Sequence, residues 1–184
     1  MNRAEASELL DKYVHSDWLK KHSLATAAIM QALAERLGSN DPQTWWIAGL
    51  LHDLDFDLTQ EPAVHGRKSA EILRRVGCPE EVIGAVQAHN AEALGLERRT
   101  PLDFALTSAE SITGLIVATA LVMPDKKLAS VGGDSVVKRM KKKDFARKVS
   151  RESILLCRHL DLSVEEFAGL AVSAMQTVAS ELGL

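Results

Sequence analysis

The chain has little cysteine, no long apolar run and no stretch in which apolar and polar residues alternate, and each shortage excludes a class of protein. Cys78 and Cys157 are its only cysteines. They have no close spacing to each other or to a histidine pair, which excludes a zinc knuckle and a redox motif and leaves two buried, reduced thiols. No apolar run approaches the roughly 20 residues of a membrane span. The opening MNRAEASELLDKYV interleaves charge with apolar residues where a signal peptide would carry an apolar core. A cytoplasmic protein with no membrane partner is expected. Period-two runs are missing, which argues against sheet, and there is no internal repeat or low-complexity tract.

What remains is an ordinary globular composition of 184 residues, 46% hydrophobic and 26% charged, with a net charge of -3. That length suits one domain with a sizeable core better than two. Apolar residues recur at three- and four-residue spacing nearly throughout, so the reading is an all-α, single-domain helical bundle over 1–184. Helices are predicted over 3–14 and over 17–37, the second stopped by Gly38. Asp41 and Pro42 open a third that carries WWIAGLLHDLD. A fourth begins near His65 and ends at Gly77, and Pro79 opens a fifth that reaches about His89. Thr100 and Pro101 start a longer helix to about Val122, which Pro124 ends. The last starts at Ser163, where Glu166 three residues on gives a capping box.

Charge is uneven: over 126–151 ten lysines and arginines stand against Asp134 and Asp144. Such a stretch is either a solvated helical face or a rim, with Lys141, Lys142 and Lys143, that concentrates an anionic substrate.

Four of the six histidines fall where a helical wheel places core-facing residues. His22 shares a stripe with Leu19, Thr26, Ile29 and Leu33, and His89 continues the stripe of Val82 and Val86. His65 leads Ser69, Ile72, Leu73 and Val76, while His52 lies in a segment, 45–54, that is apolar on nearly all sides. A single buried histidine is most simply a structural one. Four buried imidazoles need something shared to satisfy them, and a bound metal does so. His15 and His159 lack such a setting. Asp53 follows His52 directly, and adjacent helical residues diverge by about 100°, so both reach one metal only near a helix end. The run HDLDFDLTQEP supplies that end. Glu110 shares a polar stripe with Asp103, Thr107, Thr113 and Gly114, as a ligand or as a solvated glutamate.

In this order, His22, the His52-Asp53 doublet, His65, His89 and a later acidic residue resemble the HD phosphohydrolase superfamily over about 17–121, leaving 122–184 as a C-terminal helical extension. The segments LLHDLDFD, HGRKSAEIL, AHN and AESITGLIVATALVMPDKKL resemble small stand-alone bacterial HD proteins. The resemblance implies that His22, His52, Asp53 and Glu110 hold one metal. Members with two further histidines resemble two-metal enzymes, in which Asp53 would bridge to a second ion on His65 and His89. Two features depart from the family pattern: Glu110 stands where an aspartate is usual, and the lysine often found after the doublet is missing. Nothing resembles the GYP signature of cyclic-dinucleotide phosphodiesterases.

Mixed nitrogen and oxygen ligands suit one or two divalent ions of iron, manganese, nickel, cobalt or zinc. The implied reaction is hydrolysis of a small phosphorylated substrate, with a nucleotide as one candidate, and no nucleic-acid partner is expected. Asp53 then stands at the reaction centre. Asp57 or Asp55 is a candidate for proton transfer, or else a solvated or capping group. Arg67 and Lys68, one turn beyond His65, are candidates to grip phosphate, or else plain surface residues. Some HD-fold proteins resemble di-iron oxygenases with much the same ligands, and a non-catalytic nucleotide-binding sensor is a third reading.

Overall fold

Gly49 and Ala27 lie at a close crossing of two helices, and His22 and His52 lie at one end of it. The computed structural model describes residues 1–184 and contains helices and turns but no strand. In chain order the helices are α1 (Arg3–Tyr13), α2 (Asp17–Arg36), α3 (Pro42–Leu51), α4 (Arg67–Arg75), α5 (Glu80–Ala88), α6 (Ala91–Leu94), α7 (Pro101–Leu121), α8 (Gly133–Met140), α9 (Arg151–Leu155), α10 (Val164–Gln176) and α11 (Ala179–Leu182). One continuous core of 48 buried residues reaches from Ala6 to Leu182. The chain is thus the all-α, single-domain bundle that its periodicity predicts, and both cysteines are buried and free.

α7 is the central helix, touching α2, α3, α5, α8, α9 and α10. Thr100 and Asp103 cap it reciprocally: the Thr100 hydroxyl accepts from the Asp103 amide at 3.2 Å, and the Asp103 carboxylate accepts from the Thr100 amide at 2.9 Å. By length and apolar content this helix could cross a membrane, although Asp103 and Glu110 interrupt its apolar run. However, 67% of its most apolar window is buried within the bundle, as in a core helix.

α2 and α3 pack antiparallel across a short turn. A Cβ on Gly49 would lie 2.7 Å from the Ala27 Cα and 2.9 Å from its amide nitrogen, so only glycine permits this approach. That contact brings the start of α2, with His22, beside the end of α3, with His52.

The helix limits correct the sequence reading at His52 and sharpen it at His65 and His89. α3 stops at Leu51 and leaves His52 as its C-cap, with Asp53 in the following turn. α5 likewise stops at Ala88 with His89 as its C-cap. α4 starts only at Arg67, because Gly66 takes φ +86° and breaks the backbone between His65 and the helix. Helix ends suit these side chains, since the last carbonyls of a helix have no amide partner and can accept from an imidazole.

Candidate metal centre

Four imidazoles converge on one carboxylate. Asp53 Oδ2 lies 3.3 Å from His52 Nε2 and 3.8 Å from His22 Nε2, while Oδ1 lies 3.3 Å from His65 Nε2 and 3.5 Å from His89 Nε2. Within each pair the rings meet through the same atom: Nε2 to Nε2 is 3.2 Å for His22 and His52 and 2.9 Å for His65 and His89. Two ligand groups result, His22-His52-Asp53 and Asp53-His65-His89, with Asp53 common to both.

The opposite ring nitrogens explain why all four Nε2 atoms face inward. His52 Nδ1 donates to the Gly49 carbonyl at 2.8 Å, and His89 Nδ1 donates to the Val86 carbonyl. His65 Nδ1 donates to Asp55 Oδ1 at 2.8 Å. The Thr113 hydroxyl spends its proton on the Glu110 carbonyl at 2.6 Å, so at 3.0 Å it accepts from His22 Nδ1. With every Nδ1 carrying a proton, every neutral ring turns a lone pair on Nε2 toward Asp53. Four lone pairs and a carboxylate in a buried space require a cation, so the donor set fits a divalent transition metal.

Electrostatics point to the same demand for positive charge. Burial, reinforced by the neighbouring His52 ring, pushes His22 down to about 4, so this ring is neutral. Burial also opposes charging of His65, but Asp53 and Asp55 outweigh it and raise the ring to about 10. His52 is raised in the same way against its burial by Asp53. Asp53 itself is buried, yet the histidines hold it well below the usual carboxylate range. The carboxylate draws protons onto its neighbours, and a divalent ion satisfies the same demand by displacing them.

The family described as the HD domain matches residues 19–120, a span that contains all four histidines, Asp53 and Glu110. The chain belongs to the HD domain family. HD domains bind divalent metals, and the family commonly consists of phosphohydrolases. Comparison with curated proteins and with solved structures finds no match.

Around this HD centre the other candidates divide. Glu110 lies on α7 in neither ligand group; Ser111 Oγ donates to its Oε1 at 2.5 Å, and burial raises its pKa. It does border the centre, lining a cavity of about 260 Å³ together with His22, Gly114 and Lys148. Asp57 is turned away from the cluster: it accepts from the His15 and Ser16 amides at 2.7 and 2.8 Å and from Ser16 Oγ at 2.6 Å, so it ties the turn after Asp53 to the segment just before α2. Arg67 and Lys68 are exposed on α4 and line neither cavity that borders His22. Lys142 lines a separate cavity with Lys138, Arg139 and Phe145, and Lys141 another.

Asp55 has a role other than the proton transfer considered for it, and Gly66 and Lys148 were not singled out in the sequence. Asp55 is fully buried and works as an anchor, accepting from His65 Nδ1, from the Gly66 amide at 2.8 Å and from the Ser69 amide at 3.0 Å. A glycine is required beside it, because a Cβ on Gly66 would meet the Val86 carbonyl at 3.3 Å in addition to the strain of φ +86°. The basic segment reaches the site through Lys148, not through 141–143. Arg151 shapes that loop by donating to the carbonyls of Ala146 at 2.7 Å, Val149 at 2.8 Å and Phe145. The HDLDFD spacing was the available signal for Asp55; nothing in the local sequence singles out Lys148.

Proposed function

We propose that the protein is a metal-dependent phosphohydrolase that cleaves a small phosphate ester. The observation that carries this reading is the division of Asp53 between two histidine pairs. His22 and His52 with one oxygen, and His65 and His89 with the other, would hold two ions bridged by the carboxylate, and Glu110 would join the first group by exchanging Ser111 for the ion. Bound there, divalent ions supply Lewis acidity, polarising a phosphoryl oxygen and making water nucleophilic near neutral pH.

The chain's own groups supply positioning. The Nδ1 donors keep each imidazole in one tautomer, so the ligand set is preorganised. Asp55 holds His65 and the α4 amides in register. Lys148 presents an ammonium to the cavity beside His22, where it would pair with substrate phosphate oxygens. Glu110, whose pKa burial raises, gives this cavity its one acidic wall.

The test is metal analysis of the purified protein, followed by phosphate release from nucleotides, cyclic nucleotides, sugar phosphates and simple alkyl phosphates. Metal-dependent release under anaerobic conditions supports the reading. A carboxylate bridging two histidine pairs also suits a di-iron oxygenase, which oxygen consumption with a mixed-valent iron signal would reveal. Nucleotide binding without turnover under any metal would make the protein a sensor.

A further inference from the structure

His22 and Gly114 border two cavities, and the two differ in chemistry. One is the polar cavity with Glu110, Ser111 and Lys148. The other, about 440 Å³, lies between α2, α7 and α11 and is walled by Trp18, Ala25, Val117, Ala118, Leu121 and Leu182. Its volume falls in the range of small-molecule sites. Two large apolar side chains stand open together at this groove, Trp18 at 58% and Leu121 at 51% exposure, and add apolar surface that a ligand could cover.

The polar side chains of the groove are already committed. Thr113 donates to the Glu110 carbonyl and accepts from His22 Nδ1. His22 turns Nε2 to the metal cluster. Lys21 pairs with Asp17 at 2.9 Å. Beyond these, only the Trp18 indole N–H and the spare donors of exposed Lys21 could meet a polar ligand, while Ala25, Val117, Ala118, Leu121 and Leu182 offer no side-chain partner to the edge of a nucleobase or the hydroxyls of a sugar, and burying such groups against them is costly. Gly114 lines both cavities, and the Val149 side chain packs against it so closely that a Cβ there would lie 3.1 Å from it.

Building on the phosphohydrolase reading, we propose that this groove holds the organic group of the substrate, and that the ester cleaved is a phosphate ester of a hydrophobic alcohol. The phosphate lies toward the metal cluster and Lys148, and the apolar group lies along α7 against Trp18 and Leu121. In the reaction a water oxygen bonds to phosphorus while the phosphorus–oxygen bond to the alcohol breaks. The departing alkoxide takes a proton, so the products are inorganic phosphate and the free alcohol.

Binding and turnover are measured separately. Metal-loaded protein is titrated by calorimetry with non-hydrolysable alkylphosphonates from ethyl to octyl, and phosphate release is followed with the matching alkyl phosphates. The dissociation constant falls about threefold to fourfold for each added methylene until the groove is filled. Ala118→Trp, which fills the groove, flattens that dependence. Trp18→Ala, at an exposed position that folding tolerates, weakens it.

A dissociation constant indifferent to chain length overturns the groove assignment, even if phosphate is released from every ester. Chain-dependent binding with no phosphate release keeps the groove and overturns the hydrolase reading. Chain-indifferent binding together with a dimer that Ala118→Trp dissociates gives the groove to a second copy of the chain, and overturns the proposal.

Discussion

Asp55 Oδ1 accepts from His65 Nδ1 at 2.8 Å and thereby aims His65 Nε2 at Asp53. Asp55→Asn would place an amide where only acceptors fit, against the His65 Nδ1 proton or against the Gly66 and Ser69 amides. Metal affinity at the His65-His89 group should fall roughly 10- to 100-fold, as for other groups that orient metal ligands. Titration of the apo-protein with manganese or zinc would show one tight site in place of two.

Asp57 is predicted to matter for stability and not for chemistry. Its hydrogen bonds from Ser16 and His15 hold its pKa below the ordinary 3.8. A carboxylate with a lowered folded pKa contributes stability above the unfolded value and loses it as pH falls through the folded one. Asp57→Ala should therefore cost about 1 kcal/mol near neutral pH, the net scale of a lost hydrogen bond. That cost should shrink as the pH drops below 3.8, while metal content stays at the parent level. Thermal melts across pH, with metal analysis of the same samples, check both parts.

Gly49→Ala tests the crossing that brings His22 to His52. The added methyl would lie 2.7 Å from Ala27 Cα, and backbone cannot rotate away as a side chain can. A loss of roughly 1–3 kcal/mol is expected in denaturant melts, as for other overpacked sites, together with weaker metal binding at the His22-His52 group.

Lys148→Ala should raise the Michaelis constant for a phosphate ester roughly tenfold, the scale of one lost charge-assisted hydrogen bond. Neutralising Lys141, Lys142 and Lys143 together should change it little, because none of them lines the cavity beside His22. Any residual effect of the triple substitution should vanish with added salt, which screens exposed charges beyond about 10 Å at 0.1 M. Steady-state kinetics at two salt concentrations separate these contributions.

The helical fold and the five central ligand candidates were legible in the chain because their signals are local. Three- and four-residue periodicity marks the helices, and histidines on apolar stripes stand out against the cost of burying them. The caps at Asp41, Thr100 and Ser163 were readable for the same reason. The helix ends near His65 and His89 were legible too; the orientation of each ring was not, since it depends on the Gly49 and Val86 carbonyls, on Asp55 and on Thr113. Nor was the choice among basic residues: Lys148 differs from Lys141 and Lys142 only through the fold of the loop that Arg151 holds. Asp57 illustrates the same limit, because its partners His15 and Ser16 are more than 40 residues away along the chain.

The central claim is that Asp53 bridges two metal sites built by His22-His52 and His65-His89. Metal content of the purified protein, measured by elemental analysis beside Asp53→Ala and His89→Ala, tests it most directly. The account predicts up to two equivalents of a first-row transition metal in the parent, loss of about one in His89→Ala and loss of nearly all in Asp53→Ala. Asp53→Ala protein that retains its metal, with a melting temperature indifferent to chelation in the parent, would contradict it.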